Sequence, residues 1–556
     1  CDYKAPTEAE YKSEGVQAAT RTFCTQAMEI TYQCGTGPNQ IVGVPGDAWD
    51  HAPARLACLD IDPSTYRQKN GYDFVNSGAF QNMVGGYNWD NMKELYGKCS
   101  VNLDVFGFCE IPDPLLAIYI PVLNASFQSG QCFGFSLSSL RLLTQQRSLN
   151  DFPRTPGPED IWDLEGVQFT NGGNVSPNLS HYIHLQHVLQ TSAEAIHYYI
   201  DKALGEHTHQ MLLQEITNAL NERAGVLCMH NGGDGHCVVP YAVYPQPNGD
   251  YTIETYNPNV PYAANENHST ALAQSRITVH TNNTFEFGGN SEFHGGLDNI
   301  IYFPMSLFDS PSPPLGLGLL KVIFGGTEGP GIKTTQITDA NGHTLFRSDG
   351  SWNTDPATRI PDSAALPMYG KATPGTSVFV LSNLGSYTQT IEGEAAGQYQ
   401  INVAGHDFGI QLGVPSNAGD RETISYSPAN NRFALTTTAA SKSFNVKILV
   451  RHPDKSVRTA NVIGTGLRDA RLDMGFDAAK DVFTYHHAGG PAQLSVHLFH
   501  TLNNATTEIA MPQLSVAHGD TVTFKPNWTA LKSAEPGIMQ VMHETGASET
   551  QTLHVQ

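Results

Sequence analysis

Positive charge is scarce in this chain. Its 556 residues hold 31 Lys and Arg against 53 Asp and Glu, for a formal charge of −22. So acidic a surface repels phosphate backbones and anionic headgroups, which argues against nucleic acid as a partner. Protonating the 22 histidines would offset that charge, in line with a pI of about 5.3, and low solubility is expected near pH 5. Membrane-spanning apolar runs are missing: the best, Leu115 to Leu123, is interrupted by Pro121. So are HExxH, GxSxG and Walker motifs, which leaves metallopeptidase, serine-hydrolase and nucleotide-binding readings without support. Neither a metal site nor a cofactor is expected. Cysteine is absent after Cys237. With Cys132 set aside, the other eight of the nine are even in number, and Cys24/Cys34 and Cys99/Cys109 are spaced to staple short loops. That use of cysteine points to an oxidising, extracellular setting. A chain numbered from Cys1 also raises lipid attachment at that thiol, against the plainer reading of a disulfide cysteine.

What is present suits several packed domains. Hydrophobic residues make up 40% and aromatics 9%, and at roughly 150 residues per domain three or four are expected. Residues 1–125 read as a Cys-rich, irregular α+β region, either a pro-segment or an integral part of the domain beginning at 126. Over 126–308 helices come first: 132–146, with Phe133, Leu137 and Leu140 on one stripe, then His181 to Leu204, then Thr208 to Asn221. The period then shifts to that of strands at Val226–His230, Cys237–Tyr244 and Tyr251–Tyr256, the last two joined by Pro247-Asn248-Gly249-Asp250. Residues 309–318, rich in Pro and Gly, read as a linker. Beyond it short strands recur between turn signals, which suggests two β-sandwich modules, 319–455 and 456–556, with 319–370 able to belong to either neighbour.

Three segments carry chemistry. Ser129-Gly-Gln-Cys132-Phe-Gly-Phe-Ser136 places a Cys at a helix mouth, where unpaired N–H groups and the positive dipole end favour a thiolate and can hold an oxyanion. Alone, such a Cys is more simply a core thiol. Gly232-Gly-Asp-Gly-His236-Cys-Val-Val holds a His at the start of an apolar strand, as a general base requires. Tyr256-Asn257-Pro-Asn259 ends the partner strand and offers an amide to orient that base. A two-residue turn at Asn248-Gly249 would put 236 opposite 261 and 240 opposite 257, so that His236, Asn257 and Asn259 share a face. A longer loop, or a bulge near Pro240 or Pro245, would alter that register. In a hairpin centred on Gly232-Gly233, Cys228 and Cys237 stand opposite, as a cross-strand disulfide or as two buried thiols. His181, His184 and His187 fan around their helix, which argues against one shared metal.

Gln-Cys-Phe-Gly-Phe-Ser, then Gly-His-Cys-Val-Val about a hundred residues on, then Tyr-Asn-Pro-Asn, resembles the papain-like cysteine peptidase superfamily, in particular its secreted bacterial members, over about residues 126–305. The resemblance implies Cys132 as nucleophile, His236 as base and then acid, and Asn257 as orienter with Asn259 as the alternate. Papain carries its oxyanion Gln six residues before the Cys, where this chain has Ser126. Gln128 and the backbone N–H of Cys132 are the candidates here. The expected class is a multidomain protein in which an α+β papain-like catalytic domain precedes all-β, Ig-like sandwich modules. The expected activity is peptide or amide hydrolysis on a protein or peptide substrate, with the modules contacting a cell surface or polysaccharide. The rival readings are a surface adhesion protein whose papain-like domain is inert, and a transglutaminase, deamidase or amidase using the same triad.

Overall fold

The computed structural model describes residues 28–32, 40–44, 57–58 and 65–77. Between 85 and 553 it describes all but 106–107, 128–129, 153–156, 165–176, 223–224, 232–233, 264–266, 289–292, 315–321, 330, 349, 370–375, 440–441, 468–469, 503–504 and 532–535. The chain divides into two compact units. The first comprises Cys1–Gly86, Phe127–Pro311 and Pro367–Lys371; the second comprises Tyr87–Ser126, Ser312–Leu366 and Ala372–Gln556.

The first unit sets helices against an antiparallel sheet. Helix α1 (Cys132–Leu143) is buried on every side from Cys132 to Leu140, not along one stripe only. Its serines fit that burial because their hydroxyls are bonded: Ser138 and Ser139 donate to Phe135 O and Ser136 O, and Ser136 donates to Cys237 O. Gly134 is needed where α2 (Pro177–Val188) passes. A Cβ there would lie 2.3 Å from Ile183 O and 2.8 Å from His187 Cβ. The helix expected over His181 to Leu204 is in fact two. A 3₁₀ turn at Leu189–Thr191 interrupts it, and Ser192 restarts α3 (Ala193–Ala203) by accepting from Ala195 N. Helix α4 (His209–Glu222) follows.

The strands are β1 (Gly225–Asn231), β2 (Asp234–Pro245), β3 (Tyr251–Tyr256), β4 (Arg276–Val279), β5 (Thr284–Phe287), β6 (His294–Gly296) and β7 (Ile300–Pro304). Their order in the sheet is β6-β5-β4-β3-β2-β1-β7, with Ala57–Cys58 also paired to β2. Strands β1 and β2 are buried on both faces over most of their length, so they read as apolar runs.

The β2–β3 register departs twice from the two-residue turn. Pro245 pairs with Tyr251, and residues 246–250 form the loop, closed by Gln246 N on Asp250 O at 2.7 Å with Gly249 at φ +88°. That longer loop moves the pairing by one residue, which alone would put Asn257 on the face opposite His236. A bulge between Pro240 and Ala242 leaves Tyr241 unpaired and moves the register by one more, to Val239 opposite Tyr256. The two departures cancel in parity and return Asn257 to the face of His236.

In the second unit, residues 322–552 build two nine-stranded antiparallel sheets over one hydrophobic core reaching from Ile332 to Leu553. The expected division at 455/456 is therefore corrected. Lys442–Arg451 and Val457–Leu467 are hairpin partners in one sheet, and both supposed modules share the same core. The reading of 1–125 as one region also needs correction. Residues 87–126 belong to the second unit: Leu115 and Ile118, from the apolar stretch 115–123, pack on Ala404, Leu449 and Val457. Asp113 there also pairs with Arg451. Cys99 and Cys109 are disulfide-bonded. Cys1, Cys24 and Cys34 lie outside the described residues.

Candidate active site

Strand β2 presents His236, and the turn after β3 presents Asn257. His236 Nε2 lies 2.9 Å from Asn257 Oδ1. The amide is held the right way round: Nδ2 donates to Gln274 O at 3.1 Å, and Oδ1 also accepts from Asn259 N at 3.0 Å. Oδ1 therefore accepts, Nε2 carries the imidazole proton, and Nδ1 keeps the lone pair of a base. Both side chains are buried, and the imidazole packs beside the rings of Phe287 and Phe293, 5.6 and 6.0 Å away.

Cys132 opens α1 and is a free thiol. Its Sγ is 3.9 Å from Gly235 O, and the N–H groups of Cys237, Phe133 and Cys132 itself act on it. The sulfur thus meets the backbone on both sides of His236. No hydrogen bond joins the two side chains among the described residues. The sheet is stiffened at this point, because Cys228 and Cys237 are disulfide-bonded across β1 and β2.

Burial dominates the electrostatics. It pushes the Cys132 thiol up to about 12, although the strand N–H of Cys237 and then the helix-mouth N–H groups of Phe133 and Cys132 pull it down. It holds His236 down to about 4 against the opposing hydrogen bond that its ring donates to Asn257. In this state both groups are neutral.

Met368 and Tyr369 pack against the strand at Gly235, the residue before His236. Gly235 meets them closely: a Cβ there would lie 2.8 Å from Tyr369 Cδ1 and 2.9 Å from Met368 O. The Gln190 amide, on the 3₁₀ turn between α2 and α3, pairs with both main-chain groups of Tyr369. Its Oε1 accepts from Tyr369 N at 2.8 Å and its Nε2 donates to Tyr369 O at 3.3 Å. The Tyr369 ring meets Phe303 edge-on, and its hydroxyl is buried without a hydrogen-bond partner among the described residues.

The sequence-selected residues separate into those the fold gathers and those it does not. His236 and Asn257 are joined side chain to side chain, and Cys132 meets the same strand at Gly235. Asn259 is not a second orienter, because its side chain is committed to Asn76, whose Nδ2 donates to Asn259 Oδ1 at 2.9 Å. Gln128 lies outside the described residues. The backbone N–H of Cys132 stands at the helix mouth, where an oxyanion donor is needed. Gln131, which caps α1, has its amide on His184 Nδ1 at 2.8 Å. His187 takes the N–H of Gly134 and meets Phe127. These histidines join α2 to α1, and no group of three His, Cys, Asp or Glu among the described residues is arranged to hold a metal.

Asn76 and Gln190 carry no signal in the sequence. Asn76 bonds Asn259, accepts from Gln131 N at 2.5 Å and donates its own N–H to Pro258 O at 2.9 Å, tying the Asn257 turn to the start of α1. No family model, curated protein or solved structure matches this chain.

Proposed function

We propose that the first unit is a papain-like cysteine hydrolase cutting peptide or amide bonds in a protein or peptide substrate. One observation carries the reading: the Nε2 of His236 is fixed on Asn257 Oδ1, and the carbonyl of the residue before it, Gly235, lies 3.9 Å from the sulfur of a helix-mouth thiol. On opening, Nδ1 takes the Cys132 proton and the sulfur attacks the substrate carbonyl. The N–H of Cys132 receives the developing oxyanion. The imidazolium returns the proton to the leaving amine, and water, deprotonated by His236, then releases the acid from the thioester and restores the thiol. The disulfides favour an oxidising environment, and secretion is the setting we infer from them. The sandwich unit is proposed to hold the enzyme on a cell surface or polysaccharide.

The same triad serves transamidation and deamidation, so hydrolysis is separated from these by product analysis. The complete burial of Cys132 favours the second reading, an inert domain in an adhesion protein. The test is a peptidyl electrophile added to the wild type, Cys132→Ala and His236→Ala, with adducts located by peptide mass spectrometry. An adduct on Cys132 that is lost in both variants supports the enzyme. A wild type that reacts no faster than His236→Ala supports the inert domain.

A further inference from the structure

We propose that residues 367–369 are an internal occupant of the substrate groove that keeps Cys132 latent, and that Gln190 is the residue that reads a bound peptide backbone. The inhibitory meaning rests on Cys132 being the nucleophile; the covering itself does not.

The geometry is that of a bound peptide. Gln190 is buried and gives its amide oxygen to Tyr369 N–H and its amide nitrogen to Tyr369 C=O. Pairing both main-chain groups of one residue holds a peptide whatever its side chain, which is how extended peptides are commonly captured. The same Nε2 donates to His187 O at 2.9 Å, so the amide is set by α2 before any peptide arrives. Beside it, Gly235 lets a backbone come closer than any residue with a side chain allows. Gly235 is also the residue whose carbonyl lies 3.9 Å from the sulfur, and His236 follows it. Residues 367–369 therefore occupy the space a substrate needs to reach both groups. Met368 and Tyr369 are buried there.

The occupant is held imperfectly. The Tyr369 hydroxyl is buried with no partner among the described residues, an arrangement weaker than one that satisfied it. A peptide that offers Gln190 the same main-chain pair without that orphan competes for the groove. Displacement requires no covalent step.

The experiment is the rate of iodoacetamide labelling at Cys132, read by peptide mass spectrometry on the full chain. The variants are Gln190→Ala, which removes both main-chain bonds, and Gly235→Ala, whose Cβ collides with Met368 and Tyr369. Gln190→Glu is the gentler control, keeping the acceptor for Tyr369 N–H and losing the donor to its carbonyl. Each is made with and without His236→Ala, and unfolding midpoints are recorded. The expected result is slow labelling of the wild type and labelling at least tenfold faster in Gln190→Ala and Gly235→Ala at unchanged midpoints, with Gln190→Glu between. The proposal is overturned if no variant accelerates labelling, or if the wild type already labels like an exposed thiol. An acceleration that His236→Ala leaves undiminished supports the internal occupant and removes the Cys–His reading. One that His236→Ala abolishes supports both.

Discussion

Acidification should loosen the first unit, and His236 should account for a definable share. Its folded pKa is held at about 4 by burial, against an ordinary value of 6.5. The unfolded chain thus binds more protons than the folded one between those values, so stability is complete above pH 6.5 and is lost as pH falls toward 4. Between pH 7 and 5 one such histidine removes about 2 kcal/mol. His184, held at about 3 by the same cause, removes a similar amount. Together they approach half of the stability of a typical domain, which is about 5–15 kcal/mol. The variant is His236→Gln, which cannot charge. A chain with two units need not unfold in one step, so the assay is peptide-resolved hydrogen exchange of the β2 amides between pH 8 and 5, corrected for intrinsic exchange. Protein is kept dilute because the pI is about 5.3. The wild type should lose about 2 kcal/mol more local stability than His236→Gln over that interval. Parallel losses in the two proteins would refute a closed site with a neutral imidazole.

Asn257→Ala should strand the Nε2–H of His236, the N–H of Asn259 and the carbonyl of Gln274; a loss of about 2–4 kcal/mol in exchange at β3 and a slower reaction of Cys132 with the peptidyl electrophile are expected. Replacing Cys228 and Cys237 together by Ala opens a short loop, for which the chain-entropy relation gives about 2–3 kcal/mol, measurable as a drop in β2 protection. Gly134→Ala should be costlier than an ordinary overpacking of about 1–3 kcal/mol, because the Cβ meets backbone on α2, and should appear as lost thermal stability. In the sandwich, Lys442→Ala leaves the buried carboxylate of Glu422 without its cation; about 3–5 kcal/mol is expected by urea unfolding, less in Lys442→Ala/Glu422→Gln.

The sequence was most legible where a residue type has one mechanical use. The helix mouth at Cys132, the Gly-rich hairpin before His236 and the Asn-Gly turn could all be placed from local chemistry. The β2–β3 register could not, because it depends on how many residues the loop consumes and on one bulge. The face of Asn257 is nonetheless the expected one, since two single-residue departures preserve parity where one would have reversed it. The break between α2 and α3 was hidden because Leu185, Leu189 and Ala193 keep helical spacing across it, and only Ser192 hints at a cap. The two expected sandwich modules fail for a non-local reason: turn spacing reports hairpins, whereas the joining of 442–451 to 457–467 in one sheet is settled by long-range pairing. Gln190 and residues 367–369 were illegible for the same reason. Their meeting joins positions 179 residues apart, and neither segment has a composition that announces it.

The chemistry of the closed state also decides where the two functional readings part. Moving the proton from a thiol near 12 to an imidazole near 4 is uphill by a gap that corresponds to on the order of 10 kcal/mol, so the closed pair holds essentially no thiolate. Hydration returns each group toward its ordinary value, 9.0 for the thiol and 6.5 for the imidazole, and shrinks that gap to about 3–4 kcal/mol, within reach of the helix-mouth N–H groups and the Asn257 bond. A latent enzyme and an inert domain therefore have the same closed site. They differ only once residues 367–369 leave it: in the enzyme the uncovered thiol should gain reactivity that depends on His236, and in the inert domain it should gain access alone.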